Sequence, residues 1–370
     1  AEQGLIKGFG SYSGSLLYSI GFMIKNDITI VSTIAFYFVI LSLLGIFSFL
    51  IKFLSHKTSL LATSVFAMLP TIMYQTAVYI EVEMLILFFA IIVLLTFYYW
   101  WRNGEKSLNR WLGFSLFLIG FIFSIKYSSI ILIFASLVLL AYYFMNTWIA
   151  GAVFLFIFGI VFKMGEATSF DANDLSPQTL NTIFYASMIL GAVLLATGII
   201  QMLRKQKKVF VGKIIACLVA IVIIIAPVTP WIGKNYMETK SFGIANLLNG
   251  QSQAPNIEFT DATKKGDYSK ERRLWDYSRI IGEENDKKLT KVFLYPWYLT
   301  MNPELKHEYI DIGLLFLAFL PMLPFLLKRK DYEGKGRDIL VFAVVFYVYW
   351  AIMGRGVIWY GITGLPLVLL

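Results

Sequence analysis

The sequence predicts an all-α, polytopic helical membrane protein, and three observations carry that prediction. The chain of 370 residues is 58% hydrophobic and only 15% charged, with a mean hydropathy of +0.71. A soluble domain holds about 45–50% apolar and about 25% charged residues. The apolar residues are gathered into runs of roughly the 20 residues that a bilayer crossing needs. The short loops between runs alternate between rich in Lys and Arg and nearly bare of them, as crossings in alternating directions require.

Eleven spans are expected, at about 28–51, 59–79, 84–101, 111–125, 128–145, 148–162, 179–203, 211–232, 310–327, 338–353 and 357–370. The basic loops hold Lys52 and Lys57; Arg102, Lys106 and Arg110; Arg204, Lys205, Lys207, Lys208 and Lys213; and Lys328, Arg329, Lys330, Lys335 and Arg337. The opposite short loops hold only Lys126, Lys163 and Arg355. The positive-inside rule makes the first set cytoplasmic and places the second set outside. The net charge of +9 resides in these topology signals and does not point to nucleic acid.

Residues 1–27 are rich in Gly, Ser and Tyr and are expected to form part of the first extracytoplasmic loop, with 28–232 as transmembrane helices, 233–309 as a large extracytoplasmic loop and 310–370 as further spans. An outside start with no signal pattern implies a span and part of a loop before Ala1. The run that ends at Leu370 implies sequence beyond it. In the large loop, Leu274, Trp275, Tyr277 and Ile281 fit one face of a surface helix carrying Arg272, Arg273 and Arg279 toward lipid phosphates, and an ordinary solvated loop fits equally.

The single cysteine, Cys217, excludes a disulfide framework, and His56 and His307 are too far apart to form a metal motif. No phosphate-binding glycine loop, dinucleotide fingerprint or nucleophile elbow is present.

The chemistry gathers on the outer side. Glu81 and Glu83 stand between the second and third runs, with nothing adjacent in sequence to neutralise them. Carboxylates at a membrane boundary are costly. In an extended turn the Glu-x-Glu spacing puts both on one face, whereas on a helix they diverge by about 200°. Lys126 follows a run short enough to end below the surface, which places it at a recessed cavity. Arg355 lies between Gly354 and Gly356, where a ligand can approach the backbone closely. Lys234 closes the run that ends in Pro230-Trp231. Each of these three cations has a plainer reading as an interfacial anchor. Together, carboxylates and cations suit transfer of a group away from a phosphate.

Pro230-Trp231-Ile232-Gly233-Lys234-Asn235-Tyr236-Met237-Glu238-Thr239-Lys240 resembles the Pro-Trp-x-x-Arg-Asn-Tyr-x-x-Thr-Gly segment of bacterial GT-C glycosyltransferases, relatives of the protein mannosyltransferases and the aminoarabinose lipid A transferase. Lys234 stands where that family has Arg. The acidic loop at Glu81, the long helix after it, Ile125-Lys126-Tyr127-Ser128, Ile310-Asp311-Ile312-Gly313-Leu314 and the segment from Arg355 to Pro366 are similar to that family in order. The family's acid just after its first span has no clear counterpart, Glu2 being the one position available.

The resemblance implies an inverting transferase that moves a sugar from a polyprenyl-phosphate donor to a lipid, glycan or protein acceptor outside the cytoplasm. The base would precede Ala1 or be Glu2. Glu81 and Glu83 would orient the acceptor or hold a divalent cation, although two carboxylates alone do not establish a metal site. Lys126, Lys234 and Arg355 would hold the phosphate, with Tyr127, Asn235, Tyr236 and Tyr360 from the same motifs beside the substrate. A transporter or flippase for a lipid-linked substrate is the rival reading, and a non-catalytic subunit of a membrane complex is the third.

Overall fold

A computed structural model describes residues 13–25, 28–69, 72–73, 82–102, 108–126, 129–168, 177–205, 207–239, 335–353 and 364. Among them every regular element is helical. The helices are α1 (Ser13–Ile24), α2 (Ile28–Leu50), α3 (His56–Ala67), α4 (Glu83–Arg102), α5 (Arg110–Ile125), α6 (Ile130–Phe144), α7 (Thr147–Thr168), α8 (Pro177–Lys205), α9 (Lys207–Ile225), α10 (Thr229–Thr239) and α11 (Lys335–Met353), with a 3₁₀ turn, Ala226–Val228, between α9 and α10.

Four stretches are long and apolar enough to cross a membrane: Thr29–Leu50, Glu83–Trp100, Asn181–Arg204 and Val211–Lys234. They make the chain a helical membrane protein. Arg110–Ile125, Ile130–Phe144, Thr147–Val161 and Val341–Trp350 are shorter apolar helices. The expected runs at 310–327 and 357–370, and the loop beyond Thr239, fall outside the described residues.

Polar caps set several helix starts. Asn109 Oδ1 accepts from the amides of Trp111 and Leu112, both at 3.1 Å, and Ser55 Oγ accepts from Thr58 N at 3.2 Å. Asn146 Oδ1 accepts from Ile149 N at 2.9 Å, while its Nδ2 donates to Gly198 O at 3.0 Å, so one side chain starts α7 and ties it to α8.

Helix α4 is the centre of the bundle. In its span 67% of residues are buried, against 17% in those of α8 and α9. It packs between α2 and α5. Ser115 of α5 and Thr96 of α4 join their hydroxyls at 2.6 Å, a polar contact suited to helices that pack inside a bilayer. At the Arg102 end Trp100 lies against Tyr143 and Phe144, and Phe97 against Phe342. Tyr349 of α11 donates its hydroxyl to Phe154 O at 3.0 Å. Helices α8 and α9 present Tyr185, Ile189, Val193, Leu218 and Val222 outward, the surface expected against lipid.

Close approach rests on glycine at two crossings. A Cβ on Gly45 would come within 2.8 Å of Ile91 Cγ2, and one on Gly120 would collide with the backbone carbonyl of Ile224. Only glycine lets α5 and α9 pack at that depth.

Three sequence expectations gain detail. Within the run at 59–79 the described helix is α3, of 12 residues and about 18 Å, and most of the run past Leu69 falls outside the described residues. Helix α3 stops because the Met68 amide turns back to Ser64 O and Val65 O just before Leu69 and Pro70, and the residue ahead of a proline disfavours helix. The run at 211–232 is interrupted at the 3₁₀ turn, where Pro227 and Pro230 each lack an amide donor, and helix then continues to Thr239. The N-terminal segment expected as loop contains α1. Its Tyr18 packs on Val31 and Ala35 of α2, contacts that local sequence does not announce.

Candidate functional site

The register of α2 against α4 sets the depth of the site. The two helices run parallel. Phe38 meets Phe88, Phe53 meets Tyr98, and Ser42 Oγ donates to Met84 O at 3.5 Å. The first turn of α4 therefore lies beside the middle of the candidate span in α2, about 15–20 Å along it at 1.5 Å per residue. Helix α5 ends at the same level, because Ser115 pairs with Thr96 and Tyr99 stacks on Trp111 in antiparallel register.

Glu83 opens α4 and is fully buried, with a relative exposure of 0%. A carboxylate in the first turn is favoured by the helix dipole. Its decisive partner comes from 43 residues away: Lys126, the C-cap of α5, donates Nζ to Glu83 Oε1 in an ion pair. Lys126 has extended backbone, φ −151° and ψ 129°, which ends the helix there. Its side chain is 21% exposed. Glu83 is thus neutralised, contrary to the sequence expectation, which saw only its neighbours in the chain. Lys126, expected as a phosphate ligand alone, is also a carboxylate's counter-ion. Glu83 is helical, so the extended Glu-x-Glu turn does not extend through it. Glu81 lies outside the described residues.

The other carboxylate oxygen, Glu83 Oε2, is buried with no hydrogen-bond partner. Burial of an ionised oxygen is expensive unless a donor meets it. Helix α1 adjoins the start of α4, where Val82 packs against the cluster that holds Tyr18. Burial pushes the Tyr18 phenol up to about 12, and the Glu83 charge adds to the rise. Tyr18 is a site neighbour that sequence reading missed. Its nearest signal was a lone aromatic in a weakly apolar stretch.

Trp231 was also passed over, although its motif was noted. It sits on α10, 3% exposed, with its ring edge-on to Phe123 at 6.3 Å between centroids. Lys234 and Tyr236 follow on α10, Lys234 half-buried and Tyr236 exposed. Asn235 belongs to the same helix. Through Phe123, α10 reaches the turn that carries Lys126, so the structure brings Glu83, Lys126 and the start of α10 to one end of the bundle. Glu2, Tyr127, Arg355 and Tyr360 lie outside the described residues.

Among the described residues no three His, Cys, Asp or Glu side chains gather into a metal site. The described arrangement offers one buried acceptor oxygen, one shared cation and an apolar surround in which charge interactions are strong. No protein-family model, curated protein or solved structure matches the chain.

Proposed function

We propose that the chain is a GT-C-type glycosyltransferase that uses a polyprenyl-phosphate-linked sugar on the extracytoplasmic face of a prokaryotic cytoplasmic membrane. One observation carries the reading: Glu83, fully buried among apolar helices, is ion-paired to Lys126, and its second carboxylate oxygen has no hydrogen-bond partner. Ionisable groups buried among membrane helices are expensive and commonly mark substrate paths. The basic loops at the Arg102 end favour placing the Glu83 end outside.

In the proposed reaction an acceptor hydroxyl gives its proton to a carboxylate and attacks the anomeric carbon. The bond from that carbon to the phosphate oxygen breaks with inversion, and polyprenyl phosphate leaves with the bond's electrons. The family resemblance assigns the base to Glu2 or to a residue ahead of Ala1. Glu83, with Glu81, then orients the acceptor. Lys126, Lys234 and Arg355 meet the developing phosphate charge, while Tyr127, Asn235, Tyr236 and Tyr360 line the substrate. Lys126 can move part of its charge from Glu83 to the phosphate, because it is the more exposed member of the pair.

The test is turnover in nanodiscs of polyprenyl phosphoglucose and polyprenyl phosphomannose labelled in the sugar, with membrane extract as acceptor source. Label should leave the donor lipid. Glu83→Gln should slow this by about 10²-fold, the scale of loss when a group that positions a reactant is removed. Donor that changes leaflet with its sugar–phosphate bond intact would instead establish the transporter reading. Equal turnover in Glu83→Gln would remove Glu83 from the chemistry.

A further inference from the structure

Among the described residues, one other buried polar atom at this end of the bundle besides Glu83 Oε2 has no hydrogen-bond partner: the indole Nε1 of Trp231. An unpaired buried N–H costs about as much as a lost hydrogen bond. Its surroundings locate it. Trp231 forms a cluster with Phe123 and Val228, against which Ile130, Ile133 and Ile232 pack. Phe123 is three residues before Lys126 and Ile130 four residues after it, so the cluster that holds Trp231 reaches both arms of the turn that presents the Lys126 ammonium. Lys234 stands three residues past Trp231, one helical turn along the same face. One turn of chain therefore has beside it a buried donor without an acceptor, a cation shared with a carboxylate, and a buried acceptor without a donor.

We infer that Trp231 is a recognition residue whose indole N–H donates to a non-bridging oxygen of the carrier phosphate held at Lys126. This rests on the reading of the chain as a user of polyprenyl phosphate and adds a group to that site. A phosphate fits the set better than a neutral headgroup does. It brings several acceptor oxygens to one N–H and two nearby cations, and hydrogen bonds to a charged acceptor are the strong ones. The indole also has no proton to lose at neutral pH, so it contributes the same donor whatever the state of the Glu83–Lys126 pair.

Trp231→Phe keeps an aromatic ring in the cluster and removes the donor together with one fused ring. Binding to the purified full chain in nanodiscs is measured for a polyprenyl phosphate, the matching polyprenol and a phosphatidic acid. Trp231→Phe should bind the polyprenyl phosphate about tenfold more weakly, as loss of one hydrogen bond to a charged group predicts. It should bind the polyprenol as wild type does, while its thermal midpoint without ligand should fall modestly from the volume lost in the cluster. Unchanged binding of the polyprenyl phosphate would overturn the assignment, and so would an equal loss for phosphate and alcohol, which would make Trp231 a packing residue. An equal loss for phosphatidic acid would make the N–H a general lipid-phosphate contact and overturn its assignment to the carrier. A wild type that fails to bind the polyprenyl phosphate at all would overturn both this inference and the transferase reading. A wild type that binds while Trp231→Phe is unaffected overturns the inference alone.

Discussion

Removing one partner of the Glu83–Lys126 pair should destabilise the protein unequally, depending on which partner goes. Glu83 is fully buried, and its only hydrogen-bonded partner among the described residues is Lys126. Lys126→Met would leave a buried carboxylate without its counter-ion, and loss of one member of a buried pair costs about 3–5 kcal/mol. Glu83→Gln leaves an ammonium whose side chain is 21% exposed and can turn toward solvent. A cost of about 1–2 kcal/mol, that of an unmet buried polar group, is expected there. The double variant leaves no isolated charge and should recover most of the Lys126→Met loss, giving a coupling energy of about 3–5 kcal/mol. The assay is reversible unfolding in mixed micelles, with all four proteins measured by helix content and by tryptophan fluorescence. Equal costs for the two single variants, or strict additivity in the double, would refute the reasoning, because either result means that the pair is solvated or does not form.

Two other outcomes follow from the fold and its orientation. Gly120→Ala should weaken the contact between α5 and α9 by about 1–3 kcal/mol, as overpacking does, because its Cβ would strike backbone; Gly113→Ala on the same helix meets nothing within 4 Å and should be neutral or slightly stabilising in the same melt. Cysteines at Gly165 and Gly250, in a variant with Cys217 replaced, should react with an impermeant thiol reagent from outside the cell, and one at Gly104 should not; outside labelling at Gly104 would reverse the orientation and move Glu83 to the cytoplasmic side.

Most helix positions were legible because lipid-facing helices are written as apolar runs closed by charge. The expected run at 84–101 became Glu83–Arg102, and that at 111–125 became Arg110–Ile125. What the runs concealed was backbone interruption. Apolar residues continue past Met68 and through Ala226–Val228, and only Pro70, Pro227 and Pro230 signal that α-helical bonding stops. Helix α1 was illegible for a different reason. Twelve residues are too few to hold a helix on propensity alone, and its stabilising face is completed by α2. At the site, sequence picked out Glu83 and Lys126 but gave them separate tasks. Nothing local links residues 43 apart; the link appears only when α4 and α5 pack antiparallel with their ends level.

That pairing also bears on why the charges are there. A buried ion pair exchanged for well-packed apolar side chains is often neutral or more stable, so stability alone is a weak reason to keep one. The contacts that hold α4 against α2 and α5 are already supplied elsewhere, by Ser115 with Thr96, by the Tyr99–Trp111 stack and by Ile91 against Gly45. The ion pair adds little to that packing and imposes a desolvation cost at the level where α4 begins. A role in meeting a ligand accounts for both features at once. The buried member keeps an acceptor oxygen without a donor, and the partly exposed member can share its charge with an incoming anion. If that is the role, Glu83→Gln combined with Lys126→Met should melt close to wild type while turning over no donor, which separates what the pair does for the fold from what it does for the chemistry.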